Sequence, residues 1–438
     1  MAVTRRQFVA GMSALAASLG FNSAQVAKIT EALAVGGLGV GVKPKVIWVH
    51  GAECTGCSVS LLSLYEDVRG KAIRNLPYST GDALGLAMEG EPLRIHDLVE
   101  PAGAVTVADV LVDVVDLQYH ETLMTMGGDL AYNVLRDNMD YDGGLDPFVL
   151  VVEGAVQDKS LKGAWGDEGT HPWCAVGMPD DGSDDLSFDD VVKLLAERAD
   201  CAAVISIGQC ATFGGYPAAV SPNFVDFLGN AINPLNGEAD GTSDSGGNQT
   251  GAKGVYDFLV HKGSAAQDKV VNVPGCPTNP WWFVLTVVAY LVDLKGTLGA
   301  TPGTEGPLGI LTATAGLPEI TGGVDHSRRL KAVYGTPLHG PGCARYGDYV
   351  KGVFAENPGD PGCLQLIGCK GPSVNSLCGV HGWNGQQPEN IRSTASVDGY
   401  GVADFGGKQG GNCIMAGHPC MACTEQGYPD KFVPFVLR

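Results

Sequence analysis

KVIWVHGAECTGCSVSLL, residues 45–62, is the stretch on which the fold turns. VIWV (46–49) is a short apolar, β-branched run without alternation. A turn follows, and then SVSLLSLYEDV takes up helical spacing. A strand that does not alternate is covered on both faces, as in a parallel sheet lying between helices. The same unit recurs outward along the chain. DVLVDVV (109–115) precedes ETLMTMGGDLAYNVL, and PFVLVVEG (147–154) reads as another buried strand. VVKLLAERAD leads into AAVISIG (202–208), and KVVNV (269–273) stands before the apolar helical run around WWFVLTVVAYLVDL (281–294). Strands separated by helices, with right-handed crossovers, predict an α/β domain over 45–298: a doubly wound, flavodoxin-like parallel sheet.

The cysteines fall on this frame in an ordered way. Cys54 and Cys57 follow the first strand, Cys210 follows AAVISIG, and Cys276 follows KVVNV. These positions read as loops at the carboxyl ends of parallel strands, the edge where open α/β sheets bind ligands. Four cysteines far apart in sequence can meet there. The rest crowd into the last third, where Cys343, Cys363, Cys369, Cys378, Cys413, Cys420 and Cys423 sit among turn signals such as HGPGC, NPGDPGC and CKGPS. Residues 299–438 therefore read as a second domain, with little regular secondary structure, organised around metal clusters. Thiolates are the soft anionic ligands that iron–sulfur clusters require, and several clusters in one chain imply electrons passing one at a time.

Composition removes several alternatives. The chain has 438 residues and a net charge of −20, which nucleic-acid phosphates would repel. It is long enough to build a core without disulfide staples. Zinc ribbons pair CxxC units, but 54–57 and 420–423 are not matched to each other. Thioredoxin-type chemistry needs no further cysteines. The glycines near 36–41 precede the first strand, so they form no phosphate loop. Residues 230–253 read as a polar surface insertion.

VHGAECTGCS (49–58), GQCATFGG (208–215), PGCPTNP (274–280), GCKGP (368–372) and GHPCMAC (417–423) together resemble the small, electron-transferring subunit of nickel–iron hydrogenases. The resemblance runs from about residue 45 to the end, with the motifs in the family's order. It implies three 4Fe–4S clusters. The proximal one would be held by Cys54, Cys57, Cys210 and Cys276, and the distal one by His339, Cys343, Cys363 and Cys369. The medial one would be held by Cys378, Cys413, Cys420 and Cys423. Many members carry a medial 3Fe–4S cluster with proline in the fourth place, which is the alternative; here that place is Cys413. This chain also has three residues between His339 and Cys343, where the family commonly has two. Gly56 and Gly215 stand where oxygen-tolerant relatives add cysteines, so the ordinary type is implied. Glu53 would be a proton-path or interface residue. Cys174 and Cys201 are left over, Cys201 as a core residue.

The implied partners are a nickel- and iron-bearing large subunit and an external acceptor such as a cytochrome. The other reading is an iron–sulfur electron-carrier subunit of a quinone-reductase-type complex, whose members lack the C-terminal cysteines. At the start of the chain, Arg5 and Arg6 precede the apolar run from Phe8 to Phe21, a twin-arginine export signal over 1–34. That predicts a periplasmic or extracytoplasmic protein exported folded. No later stretch is apolar enough for a membrane anchor of its own.

Overall fold

The computed structural model describes residues 45–62, 115–140, 148–158, 171–177, 186–219, 251–280, 324–340, 343–381 and 412–437, with short pieces at 65–66, 105–106, 164–165, 236–237, 247–248, 282–283, 286–287 and Trp383. The export segment and most of the helical run at 281–294 lie outside them. In chain order the main elements are β1 (Lys45–His50), α1 (Gly56–Leu62), β2 (Asp116–His120), α2 (Asp129–Asp140), β3 (Phe148–Glu153), α3 (Phe188–Glu197), β4 (Cys201–Ile207), α4 (Gly208–Phe213), α5 (Val255–His261) and β5 (Val270–Val273).

The five strands form one parallel sheet in the order β2-β1-β3-β4-β5. This is the flavodoxin-like order. The central strand β3, FVLVVE, is buried along its whole length, as a strand with helices on both faces must be. Val191, Val192, Leu195 and Ala196 of α3 pack into the same core as Ile47, Val49, Leu150 and Val152. Each large apolar side chain among them contributes about 1.5–3 kcal/mol on burial. The strand expected at 109–115 is described as β2, Asp116–His120, and of the predicted run only Val115 is described. β2 is an edge strand whose first three residues are half-exposed. Its composition, DLQYH, therefore lacks the apolar run that marks central strands.

Register fixes the functional edge. His50 pairs with Glu153, Glu153 with Ile207, and Ile207 with Val273. The last residues of β1, β3, β4 and β5 thus form a row. Between β1 and β3 the strand order reverses, the switch point where this architecture opens a crevice. The predicted insertion at 230–253 ends differently from expectation: Ala252–Lys253 are buried and pair with Val156–Gln157.

Beyond the sheet, Asp325–Leu330 run beside β5. The Asn272 backbone amide donates to the Arg328 carbonyl, and Arg328 Nε and Nη2 donate to the carbonyls of Val270 and Asp268. Regular structure from there on is sparse among the described residues: α6 (Lys331–Tyr334), α7 (Tyr346–Lys351), α8 (Cys378–His381) and isolated 3-10 turns. A small core of Leu338, Ala355, Leu364, Ile367, Val374 and Ile414 has Cys343, Cys369 and Cys378 packed against it. No helix among the described residues is long and apolar enough to cross a membrane.

Candidate metal centres

β1, β4 and β5 each run into a cysteine-bearing segment at the carboxyl edge. The sequence suggested loops throughout. Instead Cys57 lies on the first turn of α1, which five residues separate from the end of β1, and Cys210 on that of α4, which begins directly at the end of β4. Cys54 and Cys276 lie outside regular elements. Burial pushes the Cys57, Cys210 and Cys276 thiols up, Cys210 to about 12. Mutual repulsion adds to it: Cys210 against Cys276 and Cys54, Cys276 against Cys54, and Cys57 against Cys210. Such a set holds its protons until a cation displaces them.

The backbone leaves room at this rim. A Cβ on Gly208, whose φ is +85°, would lie 2.5 Å from Cys57 Sγ, and one on Gly215 would lie 3.1 Å from Cys210 Sγ. Cys57 Sγ is thus cradled by a position, Gly208, that favours glycine by both its backbone and its lack of a side chain. All thirteen cysteines are free of disulfides.

Glu153 at the end of β3 holds the first turn of α1. Its Oε1 accepts the backbone N–H of Cys57 at 3.0 Å and of Ser58 at 3.1 Å. Oε2 accepts the Ser58 hydroxyl at 2.6 Å and Trp48 Nε1–H at 3.2 Å. Burial raises the Glu153 carboxyl above its ordinary range, and the Ser58 hydrogen bond pulls it back. His120 Nδ1 accepts the Thr122 N–H, leaving the proton on Nε2, which faces Ser58 Oγ at 3.3 Å. Burial, with His50 nearby, lowers the His120 pKa to about 3, so the ring is neutral. Glu53 accepts the Thr55 hydroxyl at 3.0 Å and lies 3.2 Å from His50 Nδ1.

In the C-terminal region Cys378, Cys413, Cys420 and Cys423 line one pocket, walled by Leu338 and Ile414. Burial raises all four thiols, Cys378 to about 12, and repulsion couples Cys378 with Cys413 and Cys420, and Cys423 with Cys413. Cys343, Cys363 and Cys369 form a third set. Burial pushes Cys343 up to about 11, and Cys369 and Cys363 repel it further. His339 sits four residues ahead, its ring edge-on to Tyr349 at 4.4 Å and Tyr346 at 5.4 Å. Its Nε2 is buried without a hydrogen-bond partner.

The three sets touch in order. Gly275 and Pro277, on either side of Cys276, line the pocket of the middle set, and the Cys420 N–H donates to Cys369 Sγ at 3.3 Å. The donor chemistry, the glycine cradle and the cavity fit iron–sulfur clusters.

Sequence reasoning overlooked Glu153, although a lone carboxylate closing the apolar run PFVLVVE was a signal. It also overlooked Arg329 and Arg345, for which no local signal exists. Of the leftover cysteines, Cys201 is buried at the start of β4 with its Sγ–H on the Ala203 carbonyl. Cys174 packs on the main core, and burial raises its thiol to about 12. His418 Nδ1–H donates to the Pro419 carbonyl, a loop contact.

Comparison with known proteins gives consistent relatives. Residues 101–290 match the family of the NADH ubiquinone oxidoreductase 20 kDa subunit, and residues 334–399 match the family of the C-terminal region of NiFe/NiFeSe hydrogenase small subunits. The chain is 27% identical over 440 residues to the periplasmic NiFeSe hydrogenase small subunit of Desulfomicrobium baculatum, covering 100% of this chain and 99% of that protein. It is 26% identical to the periplasmic NiFe hydrogenase small subunit 1 of Nitratidesulfovibrio vulgaris, covering 99% and 93%. Among solved structures, the D. baculatum NiFeSe hydrogenase superposes with a TM-score of 0.56 at 26% identity, covering 91% of this chain and 99% of that one.

Proposed function

The chain belongs with the nickel–iron hydrogenase small subunits, and from that premise we propose that it relays electrons from H2 oxidation on a large subunit through three iron–sulfur clusters to an external acceptor. The observation that carries this reading is the order in which the cysteine sets adjoin: the residues flanking Cys276 line the middle pocket, and Cys420 of that pocket bonds Cys369. The sets thus adjoin in sequence from the sheet edge through the middle pocket to the third. When bound, such clusters supply one-electron carriers. Cys54, Cys57, Cys210 and Cys276 would hold the proximal 4Fe–4S cluster, Cys378, Cys413, Cys420 and Cys423 the medial, and His339, Cys343, Cys363 and Cys369 the distal. Presence of Cys413 on the middle cavity supports a four-iron medial cluster over the three-iron alternative.

The protein's own residues position and shield. Glu153 ties Cys57 to β3, so the first turn of α1 cannot drift. Neutral His120 closes the hydrogen-bond chain through Ser58 without adding charge beside the proximal set. Glu53, paired with His50 next to Cys54, would serve as an interface hydrogen-bonder or a proton-handling group toward the large subunit. Arg5 and Arg6 support twin-arginine export of the folded heterodimer, and the periplasmic relatives agree with an extracytoplasmic site; a cytochrome would be a suitable acceptor there. The quinone-reductase alternative is disfavoured, because the C-terminal region carries its own cysteine sets and matches a hydrogenase family.

Anaerobic copurification tests the proposal. We expect a nickel-containing partner, H2-dependent dye reduction and about twelve irons on this chain from three four-iron clusters, with no 3Fe–4S resonance in the oxidised state. About four irons would point to the one-cluster alternative, and a strong 3Fe–4S resonance would refute the medial assignment.

A further inference from the structure

Arg345 stands where three cysteine-bearing segments meet. It follows Cys343 by two residues and is 2% exposed. Its Nη1 donates to the Asp360 carbonyl at 2.6 Å and the Gly362 carbonyl at 2.8 Å, and Gly362 leads directly into Cys363. The third segment passes alongside. A Cβ on Gly417 would lie 4.0 Å from Arg345 Nη2, and the Gly417 carbonyl accepts the Gly359 N–H at 3.1 Å. Gly417 lies three residues before Cys420. One buried guanidinium therefore joins the segments of Cys343 and Cys363 and borders that of Cys420. It also leaves a permanent positive charge there, since arginine does not titrate in the working range. Opposing charges nearby are Asp348 on α7 and Asp360, both half-exposed.

We propose that Arg345 is a positioning residue that also raises the reduction potential of the distal centre, with Asp348 acting in the opposite direction. This rests on Cys343, Cys363 and Cys369 being distal ligands. Reduction adds one negative charge to the centre. A fixed cation in a water-poor site lowers the free energy of that charge, and an anion raises it. The consequence for electron flow is a terminal station biased to accept electrons.

The test is an EPR-monitored redox titration of the intact heterodimer with Arg345→Gln, Arg345→Lys or Asp348→Asn. Arg345→Gln should lower the ratio of reduced to oxidised distal centre at fixed potential about tenfold, which is about 59 mV for a one-electron couple. Arg345→Lys should stay within about threefold of the parent, and Asp348→Asn should raise the ratio about threefold. A clamp without electrostatic effect would leave the potential unmoved in a variant that keeps its cluster, and that result overturns the inference. If Arg345→Gln does not assemble, the Asp348→Asn arm decides: no upward shift overturns the inference. A parent complex lacking a third cluster signal overturns the ligand reading itself, whereas a normal parent signal with unmoved variants overturns this inference alone.

Discussion

His120 shows how much a single side chain depends on what surrounds it. Nothing in LQYHET marks the ring as special, yet it is fully buried against Trp48 and His50 and hydrogen-bonded toward Ser58. Burial holds its pKa near 3, against about 6.5 in the unfolded chain. Between those values the unfolded state binds a proton that the folded state refuses. The stabilisation is therefore complete above pH 6.5 and is lost as pH falls toward 3. His120→Gln, which cannot titrate, should flatten the acid limb of the stability curve by about 1.4 kcal/mol per pH unit in that window. Denaturant titrations of parent and variant between about pH 4 and 7 measure this, and parallel curves would contradict it.

At the scale of elements, the short helices α1 and α4 matter more than their length suggests. Each carries a cysteine on its first turn, and α4 starts where β4 stops. Gly208 makes the junction of β4 and α4 workable, because its φ is +85° and its missing Cβ leaves space for Cys57 Sγ at 2.5 Å. An alanine there would meet both strain and a clash with a sulfur on a different helix. Gly208→Ala should therefore remove about four irons per chain, the content of one four-iron cluster, while the other two sets stay loaded. Iron and sulfide analysis of the purified complex reads this directly, and full iron content would show that the junction relaxes.

Over the whole molecule, one buried arginine registers the C-terminal region on the sheet. Arg329 bonds Asp325 Oδ2 at 2.8 Å, Glu425 Oε2 at 2.9 Å and the Thr424 carbonyl at 2.9 Å, with its guanidinium over the Tyr334 ring. Asp325 lies on the segment beside β5, and Glu425 lies two residues after Cys423. Gln209, next to Cys210, reaches the Glu425 carbonyl at 2.9 Å. The spacing between the first and middle cysteine sets is thus held by side chains from both sides. Arg329→Met should cost about 3–5 kcal/mol, since it leaves buried carboxylates without their cation. Adding Glu425→Gln should cost less than the sum of the two single changes. Denaturant midpoints of the four proteins in this cycle test it, and strict additivity would show that the pair is not coupled.

The amino-acid sequence by itself determined the sheet, its flavodoxin-like character and the family. Unalternating apolar runs such as VIWV and FVLVV, recurring between helical stretches, read as strands covered on both faces of a parallel sheet, and CTGC and PGCPTNP are local patterns whose meaning survives without coordinates. Even β2 was only approximately legible, because an edge strand is half-exposed and has no apolar run to announce it. What the tertiary structure alone decided was adjacency. Glu153 on the Cys57 amide, Cys420 on the Cys369 sulfur, and Arg345 between the segments of Cys343 and Cys363 join residues 15 to 96 positions apart along the chain. Hydrogen bonds and charges act over a few ångströms, and only folding sets distances on that scale between residues so far apart in sequence.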